Sequence, residues 1–536
     1  MSSFLAGPLV EHLTSGVVPL VLAAPILIAF LYVVIPHFTA HAALRKYKGP
    51  TTAGFTRWWL ARQVRAGNRS EVVHKEHQKY GKFVRIGPKE VSINDPAALP
   101  IVYAHGSGSL KTDFYDAFVA SKNRGLFNTR DRAEHTRKRK IVSHTFAPKS
   151  VREFEPYINA TVRGLLRKWD ELCDKAAKAP ANKYGDRLKG YAVIETLDWY
   201  NALAFDIIGD LAFGAPFNMI ERDGADTVAI TKEDGSVIYA GGVQILNERG
   251  EYSATLGCLP PWIRPWMKYL DPWYARGLAS VNNLTGIART RVNERLQNGA
   301  GDRKDILSHL QNGKDSEGNP MGVPELTAEA LTQLIAGSDT TSNSSCAIMY
   351  HIVSNPHAYK KLREELDSTF GPRGVTGVMD YDDVKALPYL AACINEALRL
   401  HSTSGMGLPR LMTQDTAVCG EVFPAGTILS VPSYSIHRLK EFWGDDAEQY
   451  RPERWLVSEE KTREMEKALN IFSYGPRSCV GRNVAMMELF CFIATLNFRY
   501  DFVLAEPEKG MPCVEGFLRK PTGVLMGIKK REPTYY

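Results

Sequence analysis

The sequence has no Cys-x-x-Cys pair, and its eight cysteines are scattered without tight spacing. That excludes a disulfide framework and a structural zinc site and points to a reducing compartment. It has no Rossmann glycine fingerprint and no flavin motif, so the chain brings no nicotinamide or flavin site of its own. Internal repeats, low-complexity tracts and a second long hydrophobic run are also missing. Charge of one sign is scarce: 66 Lys plus Arg stand against 59 Asp plus Glu, a formal net charge of +7 over 536 residues. Such a bias is too small to argue for nucleic acid, although it suits an acidic protein partner or an anionic membrane surface. With 44% hydrophobic and 23% charged residues, the chain is neither disordered nor collagen-like nor a polytopic membrane protein.

Formal charge is absent altogether between Glu11 and Arg45, and residues 16 to 38 form an apolar run long enough to span a bilayer. A secretory signal begins with basic residues, whereas here Arg45, Lys46 and Lys48 follow the run. By the positive-inside rule the bulk of the chain then faces the cytosol. The expected organisation is a membrane anchor over residues 1–44 and one large domain over residues 45–536. Pro19, Pro25 and Pro36 interrupt the run, which leaves a half-inserted anchor as the alternative. Asn68-Arg-Ser70 and Asn159-Ala-Thr161 match the glycosylation sequon but read as unused in a cytosolic domain.

Beyond the anchor, Phe83-Val-Arg-Ile86 and Val91-Ser-Ile93, separated by Gly87-Pro88, alternate like a small hairpin, and most of the rest has helical periodicity. The fold class is therefore mainly α with small β-sheets. Residues 174 to 183 and the polar segment 298 to 322 read as exposed connections. Thr327 is a plausible N-cap for a helix reaching Ser354, ~40 Å at ~1.5 Å per residue.

The chemistry concentrates in Phe472-Ser-Tyr-Gly475-Pro-Arg477-Ser-Cys479-Val-Gly481. A cysteine just before a helix gains backbone N–H donors and the positive end of the helix dipole, which support a thiolate. The apolar run of residues 484 to 496 is that helix. Gly475 permits a tight turn, and Gly481 a close approach of backbone to a flat macrocycle. Arg477 can meet a haem propionate.

This motif resembles that of the cytochrome P-450 superfamily of haem-thiolate monooxygenases, and the resemblance extends over roughly residues 45 to 530. It implies the superfamily's fold, preceded by an N-terminal membrane anchor helix, and haem b with Cys479 as axial thiolate. Ala336-Gly-Ser-Asp339-Thr340-Thr341 resembles the oxygen-activation segment. Gly337 would leave room for dioxygen, while Asp339 and Thr340 open a helical hydrogen bond and relay protons. Glu396 and Arg399, followed by Arg454, resemble the Glu-Arg-Arg network that holds the cysteine loop. His135 and Arg139, in His135-Thr-Arg-Lys-Arg139, match the propionate-binding helix, with His135 where tryptophan is more frequent. Arg410, in Leu408-Pro-Arg410, is expected to meet the other side of the haem, with Phe472, Arg477 and Gly481 as further cofactor contacts.

Arg137, Lys138 and Lys140 would present positive charge beside the cysteine, where an acidic flavin domain could dock. Resemblance to membrane-bound eukaryotic members implies NADPH–cytochrome reductase as the electron donor and the endoplasmic reticulum membrane as the location. The segments 111–118, 125–139 and 401–410, with 201–217 and 516–521, resemble those of fungal benzoate para-hydroxylases, which implies hydroxylation of benzoate to 4-hydroxybenzoate. Such a substrate needs an apolar slot and a donor for its carboxylate. Candidate donors are Tyr115, Arg124, Asn128, Thr403 and Ser404; Leu334, Met406 and Leu408 are candidate walls, equally consistent with core packing. Another small phenolic, a fatty acid or a xenobiotic is the alternative substrate. A reductase-independent haem-thiolate isomerase and a non-enzymatic haem protein are the rival classes.

Overall fold

Two helices are apolar on nearly every side, and a helix of that kind is stable only inside a core. Thr196–Phe213 buries almost all of its residues, and Arg482–Arg499 is buried without a break over residues 487 to 497. Both pack against Val323–Val353, whose 31 residues extend ~46 Å. Pro388–Leu400 completes the layer around it. The computed structural model describes residues 23, 24, 27, 28, 30–120, 123–179, 183–299, 301–314, 317–373 and 376–531.

The largest sheet has five strands in the order Phe83–Gly87, Glu90–Ile93, Ile428–Ser430, Arg410–Leu411, Leu110–Lys111. The first two form the antiparallel hairpin that the alternation predicts, and Ile428–Ser430 adds to it in parallel. Register places Lys111 directly opposite Arg410 on adjacent strands. A three-stranded sheet of Tyr500–Leu504, Leu525–Lys530 and Ala192–Glu195 and three two-stranded ribbons are the other sheets among the described residues. The molecule is mainly helical with small sheets.

Several local expectations change. The long helix begins at Val323, not at Thr327, because Pro324 is accommodated in the first turn; the Thr327 hydroxyl donates to Val323 O at 2.8 Å inside the helix. The polar segment 298 to 322 contains a helix, Ile306–Asn312, opened by a capping box of Asp305 and Ser308. Ile306, Leu307 and Leu310 give it a buried face that the surrounding polar residues obscure in the sequence. Residues 174 to 178 continue the helix Glu155–Lys178. Asn159 is buried in that helix, so its sequon is inaccessible in the folded chain. Most of the expected anchor lies outside the described residues, and among those described no helix is long and apolar enough to cross a membrane.

The Glu396 and Arg399 pair, three residues apart on one helix, is fully buried rather than a surface contact. Arg399 grips both carboxylate oxygens, at 2.9 and 2.8 Å, while Arg454 Nε meets Oε1 at 2.8 Å and the Trp455 indole donates to Oε2 at 3.0 Å. Arg399 also donates to the carbonyls of His437 and Ala447, and Arg454 to that of Trp443. One carboxylate thus ties a helix to the irregular segments around residues 437 to 455. Burial pushes the Glu396 carboxyl up, but the hydrogen bonds of Arg399 and the charges of Arg399 and Arg454 outweigh it and hold the group below its ordinary value of 4.5. A depressed carboxyl contributes stability that is complete above about pH 4.5 and lost as pH falls through the folded value. Glu396→Gln is expected to cost ~3–5 kcal/mol, because two buried guanidinium groups lose their counter-ion. Denaturant unfolding at pH 7 and below pH 4 would measure it; an equal cost at both would place the effect in packing instead of charge.

Candidate active site

The cysteine loop owes its shape to a few backbone constraints. Gly475 has φ +70°, and a Cβ there would lie 2.0 Å from Tyr103 O. Ser473 also has positive φ. Cys479 N–H donates to Phe472 O at 2.8 Å and Ser478 N–H to Gly475 O at 3.0 Å, which closes the loop immediately before Arg482–Arg499. Arg139 reaches across to Ser478 O at 2.6 Å, and Arg477 to Thr129 O at 2.6 Å. The Cys479 side chain opens onto a cavity of about 330 Å³. Burial pushes its thiol up, against the Gly481 N–H and the charges of Arg139 and Arg482. The sulfur therefore needs a cation opposite it to carry its negative charge.

Val323–Val353 forms another wall of this cavity through Ala336, Gly337 and Thr340. The helix is continuous there: Thr340 Oγ1 donates to Ala336 O at 2.6 Å without breaking it. A Cβ on Gly337 would come within 2.7 Å of Ile208, so the glycine also serves packing against Thr196–Phe213. Asp339 does not line the cavity; its Oδ1 accepts from Asn343 at 3.1 Å, and burial raises its carboxyl against the charges of Lys520 and Arg249. Thr341, the next hydroxyl, donates to Glu488 Oε2 at 2.9 Å, and burial pushes Glu488 up to about 8. The one acid among the described lining residues is thus largely neutral at pH 7.

Against this stands a crowd of cations. Asp131 caps Arg132–Thr145 and thereby places His135 and Arg139, one turn apart, on the cavity wall. Lys111 joins them from the strand opposite Arg410, and Arg477 from the cysteine loop. Lys111 is 5% exposed and donates to Phe127 O. Burial first, and then Arg410, Arg477 and Arg139, push its ammonium well down. The same causes, with Arg477 the foremost charge, lower His135 to about 3, so its imidazole is neutral. Arg410 gives Nη1 to the Tyr115 hydroxyl at 2.6 Å, and its Nη2 is buried with no hydrogen-bond partner. Among the described residues no carboxylate pairs with Lys111, Arg139, Arg410 or Arg477. Uncompensated buried charge of this density demands an anion. A haem, with its pair of propionates beside a thiolate-ready sulfur, fits the donor set.

Of the sequence-derived candidates, Cys479, Thr340, His135, Arg139, Arg477, Phe472, Gly481, Asn128, Thr403, Ser404 and Leu408 line the cavity. Tyr115 and Arg410 do not: the Tyr115 hydroxyl accepts from Arg410 Nη1, and both side chains are buried behind the lining residues. Arg124 is spent on Asp116 at 2.9 Å and on Asn128 O. Met406 packs with Phe114 and Phe118 in a core cluster, and Leu334 is likewise core. The expected basic docking face shrinks: Lys138 is buried against Glu325 and Glu329, Arg137 is held by Glu134 and Glu325, and only Lys140 of the three is exposed. Sequence reasoning missed Lys111, Glu488, Phe127, Phe517 and Arg249. Two of them left a signal: Arg249 is a charged residue on the buried stripe Ile245, Leu246, Arg249, Tyr252, Ser253, Leu256 of Gly242–Gly257, and Glu488 is the single charge in the apolar run 484 to 496.

Lys111→Met is expected to weaken haem retention, read as the haem-to-protein ratio after gel filtration. The haem-free chain should become more stable by ~1–3 kcal/mol, since a buried amine crowded by cations and without a counter-ion is removed. Lower stability in both forms would assign Lys111 to packing.

Comparison with known proteins agrees with this geometry. The family model for cytochrome P-450 matches residues 49–528. The chain is 48% identical to benzoate 4-monooxygenase bphA of Aspergillus niger, over 94% of this chain and 96% of that protein. It is 30% identical to the cytochrome P-450 monooxygenase gsfF of Penicillium aethiopicum, over 91% and 94% respectively. A buried cation cluster, a cysteine at the mouth of its helix and a match along most of the chain converge on one statement: this chain belongs to the cytochrome P-450 family of haem-thiolate enzymes and is an oxidoreductase, a monooxygenase.

Proposed function

We propose that the chain hydroxylates benzoate at the para carbon to give 4-hydroxybenzoate, with NADPH-derived electrons delivered by a separate flavoprotein reductase. The observation that carries the substrate reading is a slot in the cavity with one wall made of three aromatic rings. Phe118, Phe127 and Phe517 meet edge to face in every pairing, with centroids 5.6, 4.8 and 5.4 Å apart. Such a trio suits a flat benzene ring better than a long acyl chain. The Aspergillus niger relative, a benzoate 4-monooxygenase, supports the same choice.

In this reading Cys479 would hold the haem iron through its sulfur, and Lys111, His135, Arg139, Arg410 and Arg477 would balance the charge of its propionates. When bound, the haem supplies dioxygen activation and transfer of one oxygen atom to the ring. Thr340 holds its hydroxyl at the cavity wall and can pass a proton into it. Asp339, behind it and raised by burial, takes protons from outside and returns the hydroxyl to its starting state. The Glu396, Arg399 and Arg454 network keeps the cysteine loop in register. Thr403 and Ser404 contribute polar contacts along the wall.

Residues 1–44 act as an anchor to the endoplasmic reticulum membrane, aided by a second contact. Trp262, Trp266, Tyr269 and Leu270 are exposed, and the Trp262 ring lies 6.5 Å from Tyr32 in the N-terminal helical segment, whose Leu31, Ile35 and Phe38 are exposed too. Trp273, by contrast, is covered by Arg65. Deleting residues 1–38 is expected to leave part of the protein membrane-bound, and adding Trp262→Ser and Trp266→Ser to release the remainder. Fractionation measures this; full solubility of the simple truncation would remove the second contact.

The activity itself is tested with purified protein, a reductase and NADPH. Benzoate should displace water from the iron in a spectral titration and yield the para product. Cys479→Ser should abolish the carbon-monoxide difference spectrum of thiolate haem. Thr340→Ala should keep benzoate affinity within about 3-fold while diverting most reducing equivalents to hydrogen peroxide. Turnover of another phenolic, a fatty acid or a xenobiotic with benzoate inert would replace the substrate, and peroxide isomerisation without reductase would replace the reaction class.

A further inference from the structure

We propose that Arg249 is the group that binds the substrate carboxylate, an inference that rests on the reading of the substrate as an aromatic acid. Arg249 sits in Gly242–Gly257, is 5% exposed, and lines the same cavity as Cys479 and Thr340. Of its five N–H donors, one makes a hydrogen bond among the described residues, from Nη2 to Phe118 O at 3.1 Å. Nε is buried without a partner. No carboxylate oxygen among the described residues lies within ion-pair distance of the guanidinium; Asp339 is the acid whose charge reaches it, and Lys520 competes for that acid. A buried arginine with unspent donors facing a cavity is a built anion site awaiting its anion.

The haem propionates are not that anion. Lys111, Arg139, Arg410 and Arg477 act on one another, singly or together, as one electrostatic group around His135. Arg249 stands outside it: burial lowers its guanidinium to about 10, and none of those cations contributes. Its neighbour is the aromatic slot. The guanidinium carbon lies 5.1 Å from the centre of the Phe118 ring. Phe118 O is shared with Asn128 Nδ2 at 2.9 Å, so two donors on one carbonyl pin the guanidinium against the slot. A benzene ring packed against the wall of Phe118, Phe127 and Phe517 with its carboxylate on Arg249 has its para carbon as the end remote from the anchor. That disposition presents the para position for oxidation, which orients the substrate as much as it binds it.

The test uses the full-length holoenzyme and spectral titration with benzoate, phenylacetate and neutral benzamide. Arg249→Met, similar in length and uncharged, should weaken benzoate about 10- to 100-fold and benzamide less than about 3-fold, so that discrimination between them collapses. Arg249→Lys should recover part of the benzoate affinity, and KM should rise far more than kcat falls. Unchanged benzoate binding in Arg249→Met overturns the anchor, as does an equal loss for both ligands, which would mean a structural role. A variant altered only in peroxide leakage would make Arg249 a partner of Asp339 instead. If the unsubstituted enzyme ignores benzoate but binds phenylacetate through Arg249, the benzoate reading falls and the anchor stands; if it binds no carboxylate, both fall.

Discussion

A sulfur that must carry negative charge at the wall of a largely apolar cavity is the constraint on which the rest of the structure depends. Burial alone drives the Cys479 thiol toward its neutral form. The opposing devices are all local or nearly so: the Gly481 N–H, the start of a long buried helix, and Arg139 bound to the next carbonyl in the loop. Each is weak by itself, and together they leave the sulfur ready for a metal cation without neutralising it beforehand. The loop holds that arrangement with no regular element beyond the 3-10 turn Gly475–Arg477, and its conformation is fixed by the left-handed glycine at 475 wedged against Tyr103 and by the hydrogen bonds of Arg139 to Ser478 O and of Arg477 to Thr129 O.

The same low dielectric explains the uneven distribution of charge. Around the cavity the chain buries Lys111 and Arg249 and half-buries Arg139 and Arg477, while the acid on the wall, Glu488, is kept largely protonated. Elsewhere some buried arginines have a carboxylate, as Arg295 with Asp305 and Arg399 with Glu396, whereas Arg69 and Arg85 are buried without an ion pair among the described residues. Mutual repulsion between Lys111 and Arg410 on paired strands is a tension that bound carboxylates relieve, so cofactor binding and the stability of that sheet edge are coupled.

How much was legible depended on how far apart in the chain a feature's parts lie. The Phe472 to Gly481 motif announces a thiolate loop because its turn, donors and helix are contiguous. The hairpin of Phe83–Gly87 and Glu90–Ile93 was equally plain, since alternation and turn adjoin. The start of the long helix was misread by one turn because Thr327 is a good N-cap in isolation, whereas the chain uses the Pro324 turn and lets the threonine back-bond. Arg124 and Tyr115 read as substrate donors because nothing local reveals Asp116 taking the one and Arg410 the other. Lys138 reads as a solvated helix face until Glu325 and Glu329, nearly two hundred residues on, fold against it.

By itself, then, the sequence determined the class of chemistry: one thiolate loop at the head of an apolar helix, a long helix with Asp339 and Thr340 to shield and supply it, and a mainly helical body to bury both. Tertiary structure alone decided which charges remain unpaired and where. Lys111 is drawn beside Arg410 by strand register, and Arg249 is carried to the aromatic wall of the cavity by a helix whose apolar stripe it interrupts. The reason is that a charge's partner, or the want of one, is a property of space and not of order along the chain. Ion pairing and burial sum over every segment that folds against a residue, and no short motif contains that sum.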